Sequence, residues 1–305
     1  MPGYIHHIQW CVADIEVAKK SLMEGYQFHL IASREGQNRE AVLTSGEITF
    51  LLSQRTASKQ PDLGDCYPWL RCRCRDEPSH EIDSVFNVCL EVGDVDKTFT
   101  NMTNNGSQIL HPPATIFSPQ GSIHYAVVTS PCNNVIHSLV NTHNFQGVFL
   151  PGFAASQTLD DKTEAAMLTH IDHVTYVVNE GESENILGWY RDCCGMEKFQ
   201  ITLDEDPEEG TVFTDVGMKL NAGDWISEWM CREDGVMWQD ELEQHPRNFK
   251  LVIAEPLADR EDSHVHRYGF TFPPFPLFDC LLLILVFFVT MVDQVYSTLH
   301  FQLIV

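Results

Sequence analysis

The chain has 305 residues, 44% hydrophobic and 10% aromatic, the composition of a folded protein with room for two domains. Its 43 acidic residues against 19 basic ones give a formal charge of −24. That balance excludes a nucleic-acid-binding face, which needs clustered cations to displace counterions, and gives no attraction to anionic lipid.

The first unit occupies residues 4–52. The run Ile5-His6-His7-Ile8-Gln9-Trp10-Cys11-Val12 predicts a strand, and Asp14 is placed to cap a helix over 15–23. Strands are expected at 27–33, 41–43 and 48–52, the last entered through Ser45-Gly46-Glu47, which makes the order β-α-β-β-β. Residues 53–81, rich in Pro, Asp, Arg and Cys, read as a linker. Its Arg71-Cys72-Arg73-Cys74-Arg75, with Cys66 nearby, invites a zinc reading, but the paired C-x-x-C spacing is missing, and free thiols in a loop are the better account. A second unit repeats the order: a strand at 86–92, Asp94 as cap, and a helix over 95–104 ending at Asn105-Gly106, which suits a left-handed cap. Ile109-Leu110 leads into Pro112-Pro113, and strands follow at 123–129 and 135–140.

A connector over 141–166 carries Gly147-Val148-Phe149-Leu150-Pro151-Gly152-Phe153. The third unit opens on Thr169-His170-Ile171-Asp172-His173-Val174-Thr175-Tyr176-Val177-Val178, an echo of Tyr4–Val12, and predicts a helix over 183–193 with strands at 198–203, near 211–220 and at 249–254. Vicinal Cys193-Cys194 reads as a buried pair of small apolar groups. With ten irregularly spaced cysteines and no apolar leader at its start, the chain is expected to carry reduced thiols in an intracellular compartment. The first thirty residues hold two lysines, no arginine and three acids, unlike a transit peptide, which leaves cytoplasmic and mitochondrial locations both open.

Residues 271–305 break the pattern, where a fourth unit is due. From 275 to 292 Asp279 alone is charged, an 18-residue span near the minimum for a membrane helix. Pro276 and the lack of Lys or Arg after Arg267 argue against that. A non-homologous terminus from splicing or gene prediction, a tail-anchor helix and a buried apolar strand pair all stay open.

Three such repeats with a strand histidine resemble the vicinal-oxygen-chelate superfamily, the glyoxalase fold, whose paired modules close into half-barrels. Within it the chain resembles 4-hydroxyphenylpyruvate dioxygenase and the dioxygenase-like proteins. The resemblance covers about residues 4–266 and rests on the Val-Gly-Asp-Val-Asp turn at 92–96, His137-Ser138-Leu139-Val140, the Phe-Leu-Pro-Gly-Phe connector, Ile171-Asp172-His173-Val174, Trp189-Tyr190, and Val252-Ile253-Ala254-Glu255-Pro256. It implies an α+β fold with a non-catalytic two-module domain at 1–145, a connector at 146–166, the first part of a metal-binding domain at 167–270, and an apolar tail at 271–305.

The same resemblance implies Fe(II) held by two histidines and one glutamate, which with O₂ oxidatively decarboxylates an aromatic 2-oxo acid in aromatic amino acid metabolism, specifically tyrosine catabolism. His173 takes the first ligand place. The second histidine and the glutamate belong to the fourth module, which this sequence is not expected to supply, so activity is expected to be impaired. Asn87 stands where a metal-binding module carries histidine, Ala254 where the enzyme proper has a substrate-contacting asparagine, and Ser263-His264-Val265-His266 where two glutamines are expected. His7 is read as a core or rim histidine. His170 and His173 are expected on opposite faces of their strand. A substitute ligand set of His173, His264, His266 and Glu255 is a geometric alternative, and a non-catalytic binding or scaffold role for the first half-barrel, with a tail anchor, is the alternative function. A homodimer is expected, and membrane contact only through residues 275–292.

Overall fold

The computed structural model describes residues 2–34, 39–54, 84–132, 135–156, 170–178, 181–199, 225–232, 251–256, 280–289 and 298–304. The first half runs β1 (Pro2–Val12), α1 (Ile15–Tyr26), β2 (His29–Arg34), β3 (Glu40–Ser45), β4 (Ile48–Gln54), β5 (Ser84–Val92), α2 (Val95–Asn104), β6 (Ile109–Ser118), β7 (Gly121–Thr129) and β8 (Ile136–Asn141). The connector adds β9 (Ala154–Ala155). The second half holds β10 (His170–Val178), α3 (Ser183–Cys194), β11 (Met196–Phe199), β12 (Trp225–Arg232), β13 (Leu251–Pro256), β14 (Cys280–Val289) and β15 (Thr298–Ile304). These form a nine-stranded sheet, β6-β7-β8-β5-β1-β4-β3-β2-β9, and a six-stranded one, β11-β12-β13-β10-β14-β15. The α+β class expected from the sequence is what the chain adopts.

The repeat is present in register, not only in order. β1 lies between parallel β4 and antiparallel β5, and β10 lies between parallel β13 and antiparallel β14. Ile8 pairs with Phe50 as Val174 pairs with Leu251, and a register shift falls between Ile5 and His7 as another falls between Ile171 and His173.

Local chemistry sets the helix ends. Asp14 Oδ1 accepts from the Glu16 and Val17 amides at 2.9 and 3.2 Å, and Asp94 Oδ1 accepts from Lys97 N at 2.9 Å, satisfying donors the helices cannot. α2 ends at Asn105, and Gly106 takes φ 98° as its sequence suggested. α1 runs on past Gly25 to Tyr26 and is closed by Gln27 in the left-handed region, φ 54°. The reason is buried Phe28, whose amide, like that of Gln27, reaches the Leu22 carbonyl.

Elsewhere tertiary position overrides the local pattern. β6 continues through Pro112-Pro113 rather than stopping before them, because it is the sheet's edge strand and its register shifts between His111 and Ala114, where a missing N–H breaks no ladder bond. β12 answers no predicted strand, while the strand expected near 211–220 lies outside the described residues. The apolar run 280–289 is strand β14, hydrogen-bonded to β10 on one side and β15 on the other. Among the described residues no helix is long and apolar enough to cross a membrane.

β1 alternates between two cores. Ile8, Trp10 and Val12 join Phe50, Leu52, Val88 and Leu90 in a cluster that also takes in Val174, Tyr176, Leu251, Ile186, Leu187 and Tyr190 of the second half. Cys11 faces the other way with Val42, Leu51, Cys89, Tyr125 and Val140, and this face is filled by Phe149 and Leu150 of the connector. Cys193 and Cys194 are buried and free, as are Cys89 and Cys132. Cys11 departs from the expectation of reduced thiols in being disulfide-bonded. Cys66, Cys72 and Cys74 also lie outside them.

Candidate functional site

Three metal-ligating side chains meet on the connector-filled face of the first sheet. His6 and His7 enter at the register shift of β1, and Cys89 stands opposite His7 in β5. The two Nδ1 atoms are 2.8 Å apart, and one nitrogen of each ring lies within 4.8 Å of the other and of the Cys89 sulfur. Phe149 closes over them, its ring centroid 5.0 Å from that of His7 and 5.5 Å from that of His6. Burial holds the His6 pKa down at about 4 and lowers that of His7 well below 6.5, so both rings are neutral with lone pairs available. Burial, with the Glu91 charge, pushes the Cys89 thiol well up. His7 Nε2 is buried without a hydrogen-bond partner, which costs about 1–3 kcal/mol.

His7 is a core residue, as expected. Its neighbour across the strand pair, however, is Cys89 and not Asn87. Asn87 belongs to a chain of polar contacts that crosses the same sheet. Arg34 lies 2.5 Å from Glu40, and Ser53 Oγ donates to Glu40 at 3.4 Å. Gln9 Nε2 donates to Ser53 at 2.9 Å and Asn87 Nδ2 to Gln9 at 3.0 Å, while Asn87 Oδ1 accepts from Ser138 N at 3.1 Å. The side chains of Ser53, Gln9 and Asn87 link one to the next, which is how a sheet interior tolerates this much polarity. Burial raises the Glu40 pKa to about 7 despite the neighbouring guanidinium.

His173 occupies in β10 the place His7 has in β1, directly after the register shift. Opposite it stands Leu285, and β14 contains no histidine, aspartate or glutamate. Glu255 lies on neighbouring β13, where Ala254 pairs with Val177, so in strand register it falls five residues beyond His173; the side chains of His173 and Glu255 lie outside the described residues. His264 and His266 of the alternative ligand set lie outside the described residues. A register shift lies between His170 and His173 on β10, and the side chains of both lie outside the described residues.

The motif residues His137 and Trp189-Tyr190 prove to be one unit, joining the halves. His137 Nδ1–H donates to the Val88 carbonyl at 2.9 Å, which leaves Nε2 to accept from the Tyr190 hydroxyl at 2.8 Å. The Trp189 ring stacks on the imidazole at 5.9 Å and 15°. Asn101 of α2 donates to the Asp192 and Cys193 carbonyls at 3.1 and 3.0 Å, taking up acceptors left open at the end of α3. Burial holds the His137 pKa at about 4. Beside this joint a cleft of about 350 Å³ is lined by Asn105, Ser130, Glu182, Asn185 and Trp189. It contains none of the ligating residues.

No family model matches the chain. It is 29% identical over 272 residues to the 4-hydroxyphenylpyruvate dioxygenase-like protein of Mus musculus, covering 86% of this chain and 66% of the relative. It is 29% identical to the protein of the same name from Rattus norvegicus over 67% of this chain and 52% of the relative. With 4-hydroxyphenylpyruvate dioxygenase of Yarrowia lipolytica it shares 25% identity over 87% of this chain and 61% of the relative. The chain thus spans from about half to two thirds of these relatives. In fold it is similar to a triple mutant of 4-hydroxymandelate synthase from Streptomyces coelicolor, with TM-score 0.59, 16% identity, and coverage of 99% of this chain and 92% of that one. A TIM barrel/4-hydroxyphenylpyruvate dioxygenase fusion protein superposes with TM-score 0.51 over 83% of this chain and 33% of its own. The resemblance carried by the motifs is therefore one of sequence and of fold, to dioxygenase-like proteins built of glyoxalase-type modules.

Proposed function

We propose that this chain is by descent an Fe(II)- and O₂-dependent oxygenase of an aromatic 2-oxo acid, of the 4-hydroxyphenylpyruvate dioxygenase-like kind, and that its iron centre is incomplete in the sequence at hand. The names of its relatives supply the substrate class, and the shared fold supports it. Residues 1–145 are the non-catalytic domain, 146–166 the connector, 167–270 the first part of the metal-binding domain with His173 as first ligand, and 271–305 an apolar addition. The observation that supports the impaired reading is Leu285, in register with His173 on a strand that carries no histidine or carboxylate. No catalytic step is assigned through an ion that these residues would hold poorly.

Iron content of the purified chain, measured with oxygen uptake on 4-hydroxyphenylpyruvate, tests this reading. Iron far below one per chain and no uptake are expected. One iron per chain lost in His173→Ala, with turnover, would sink the impaired reading and leave the family reading standing. A second reading, a non-catalytic binding or scaffold role for the first half, is favoured by one observation. The inner face of that sheet carries a hydrogen-bonded Ser53–Gln9–Asn87 chain and is packed by Phe149 and Leu150.

A further inference from the structure

The three donors on the first sheet have no role in the reading above. We propose that His6, His7 and Cys89 form a binding site for a thiophilic d¹⁰ transition ion, zinc(II) or copper(I), within the half of the protein expected to be free of metal. The proposal is independent of whether the second half ever binds iron.

Donor chemistry selects the ion. Two imidazole nitrogens and one sulfur, without a carboxylate among them, suit zinc or copper(I) and disfavour magnesium, calcium and manganese. Tetrahedral zinc with N ligands at about 2.1 Å and S at about 2.3 Å places donors roughly 3.4–3.6 Å from one another. The two Nδ1 atoms are 2.8 Å apart, and one donor atom from each of the three residues lies within 4.8 Å of the others, a separation of the same order as that spacing. The cluster also contains an unpartnered polar group, His7 Nε2, on a residue with no exposed surface. Phe149 seals the site, and that apolar cover favours an ion whose charge is largely offset by its ligand. To ligate, the thiol must lose its proton: Cys89–SH plus the ion gives the metal thiolate and one H⁺ released to solvent. The strand pair provides the placement, since Cys89 is opposite His7 and the register shift sets His6 beside it.

The full-length chain, stripped by chelator, is titrated with zinc(II), and in a separate anaerobic arm with copper(I) delivered from a competing chelator. Bound metal is counted after desalting for the wild type, Cys89→Ser, His7→Gln and His173→Ala. About one ion per chain is expected in one arm, with release of about one proton. Binding should weaken at least about ten-fold in Cys89→Ser and His7→Gln and stay unchanged in His173→Ala. Cobalt(II) substitution of the wild type, read for sulfur-to-metal charge transfer, does not depend on any variant folding. No ion taken up in either arm, full occupancy in Cys89→Ser, loss in His173→Ala alone, or a cobalt spectrum without the sulfur band would each overturn the proposal.

Discussion

In the first half the strand antiparallel to β1 brings Cys89 opposite His7, whereas in the second half the strand antiparallel to β10 brings Leu285 opposite His173. The two strand trios are otherwise built alike, with the same parallel partner, the same antiparallel partner and the same register shift. Backbone pairing uses groups every residue has, so a repeat keeps its ladder while its side chains diverge. A metal site depends on three particular side chains and is lost or gained with one. The second half therefore has a leucine in register with its strand histidine, and the first half has the converging donors.

The largest test of this contrast concerns the connector. Phe149 is a buried plug on the donor face of the first sheet, and Phe149→Ala is expected to cost about 3–5 kcal/mol in urea unfolding. A loss near zero would mean that the face is not closed by the connector, and the halves would differ less than they do here.

The second test uses pH. The folded pKa of His137 lies at about 4, below its ordinary 6.5, so stability from this residue is present above pH 6.5 and is lost as pH falls towards 4. At about 1.4 kcal/mol per unit the loss approaches about 3 kcal/mol. Glu40 has the opposite sign: its pKa is raised to about 7, so its contribution is full below its ordinary 4.5 and fades as pH rises through 7. Urea midpoints measured from pH 4 to 8 should lose their alkaline-side decline in Glu40→Gln and their acid limb in His137→Gln. An unchanged acid limb in His137→Gln would refute the assignment.

The hydroxyl at the joint comes next. Tyr190→Phe leaves His137 Nε2 without its donor and should cost about 1–3 kcal/mol, with the two halves losing cooperativity in calorimetry. A single transition at wild-type temperature would show that the joint does not couple them. The smallest effects belong to the helix caps of the first half: Asp14→Ala and Asp94→Ala are each expected to lower stability by about 1 kcal/mol, read from denaturation midpoints.

Much of the fold was legible in the chain. Asp14, Asp94 and Asn105-Gly106 marked helix ends because caps act within a few residues, and the echo of Tyr4–Val12 in β10 marked the repeat. The continuation of β6 through Pro112-Pro113 was not legible, since a proline's effect depends on whether its strand lies at an edge. Neither was the end of α1, which depends on the burial of Phe28. His7 was readable as buried, but Asn87 rather than Cys89 looked like its counterpart. A register shift of one residue moves every partner, and no local pattern reports it. A flag was present even so: Cys89 lies two residues from Asn87 on the same predicted strand and shares its face.

The sequence by itself determined the module, its repetition, the helix caps and the acidic character, because these rest on composition, periodicity and contacts within a few residues. Only the tertiary structure decided which residues come together: Cys89 with His6 and His7, His137 with Tyr190, and, in strand register, Leu285 across from His173. Those meetings join residues up to 112 positions apart through β-register and helix docking. Both are settled by the summed burial of whole sheet faces rather than by any segment alone.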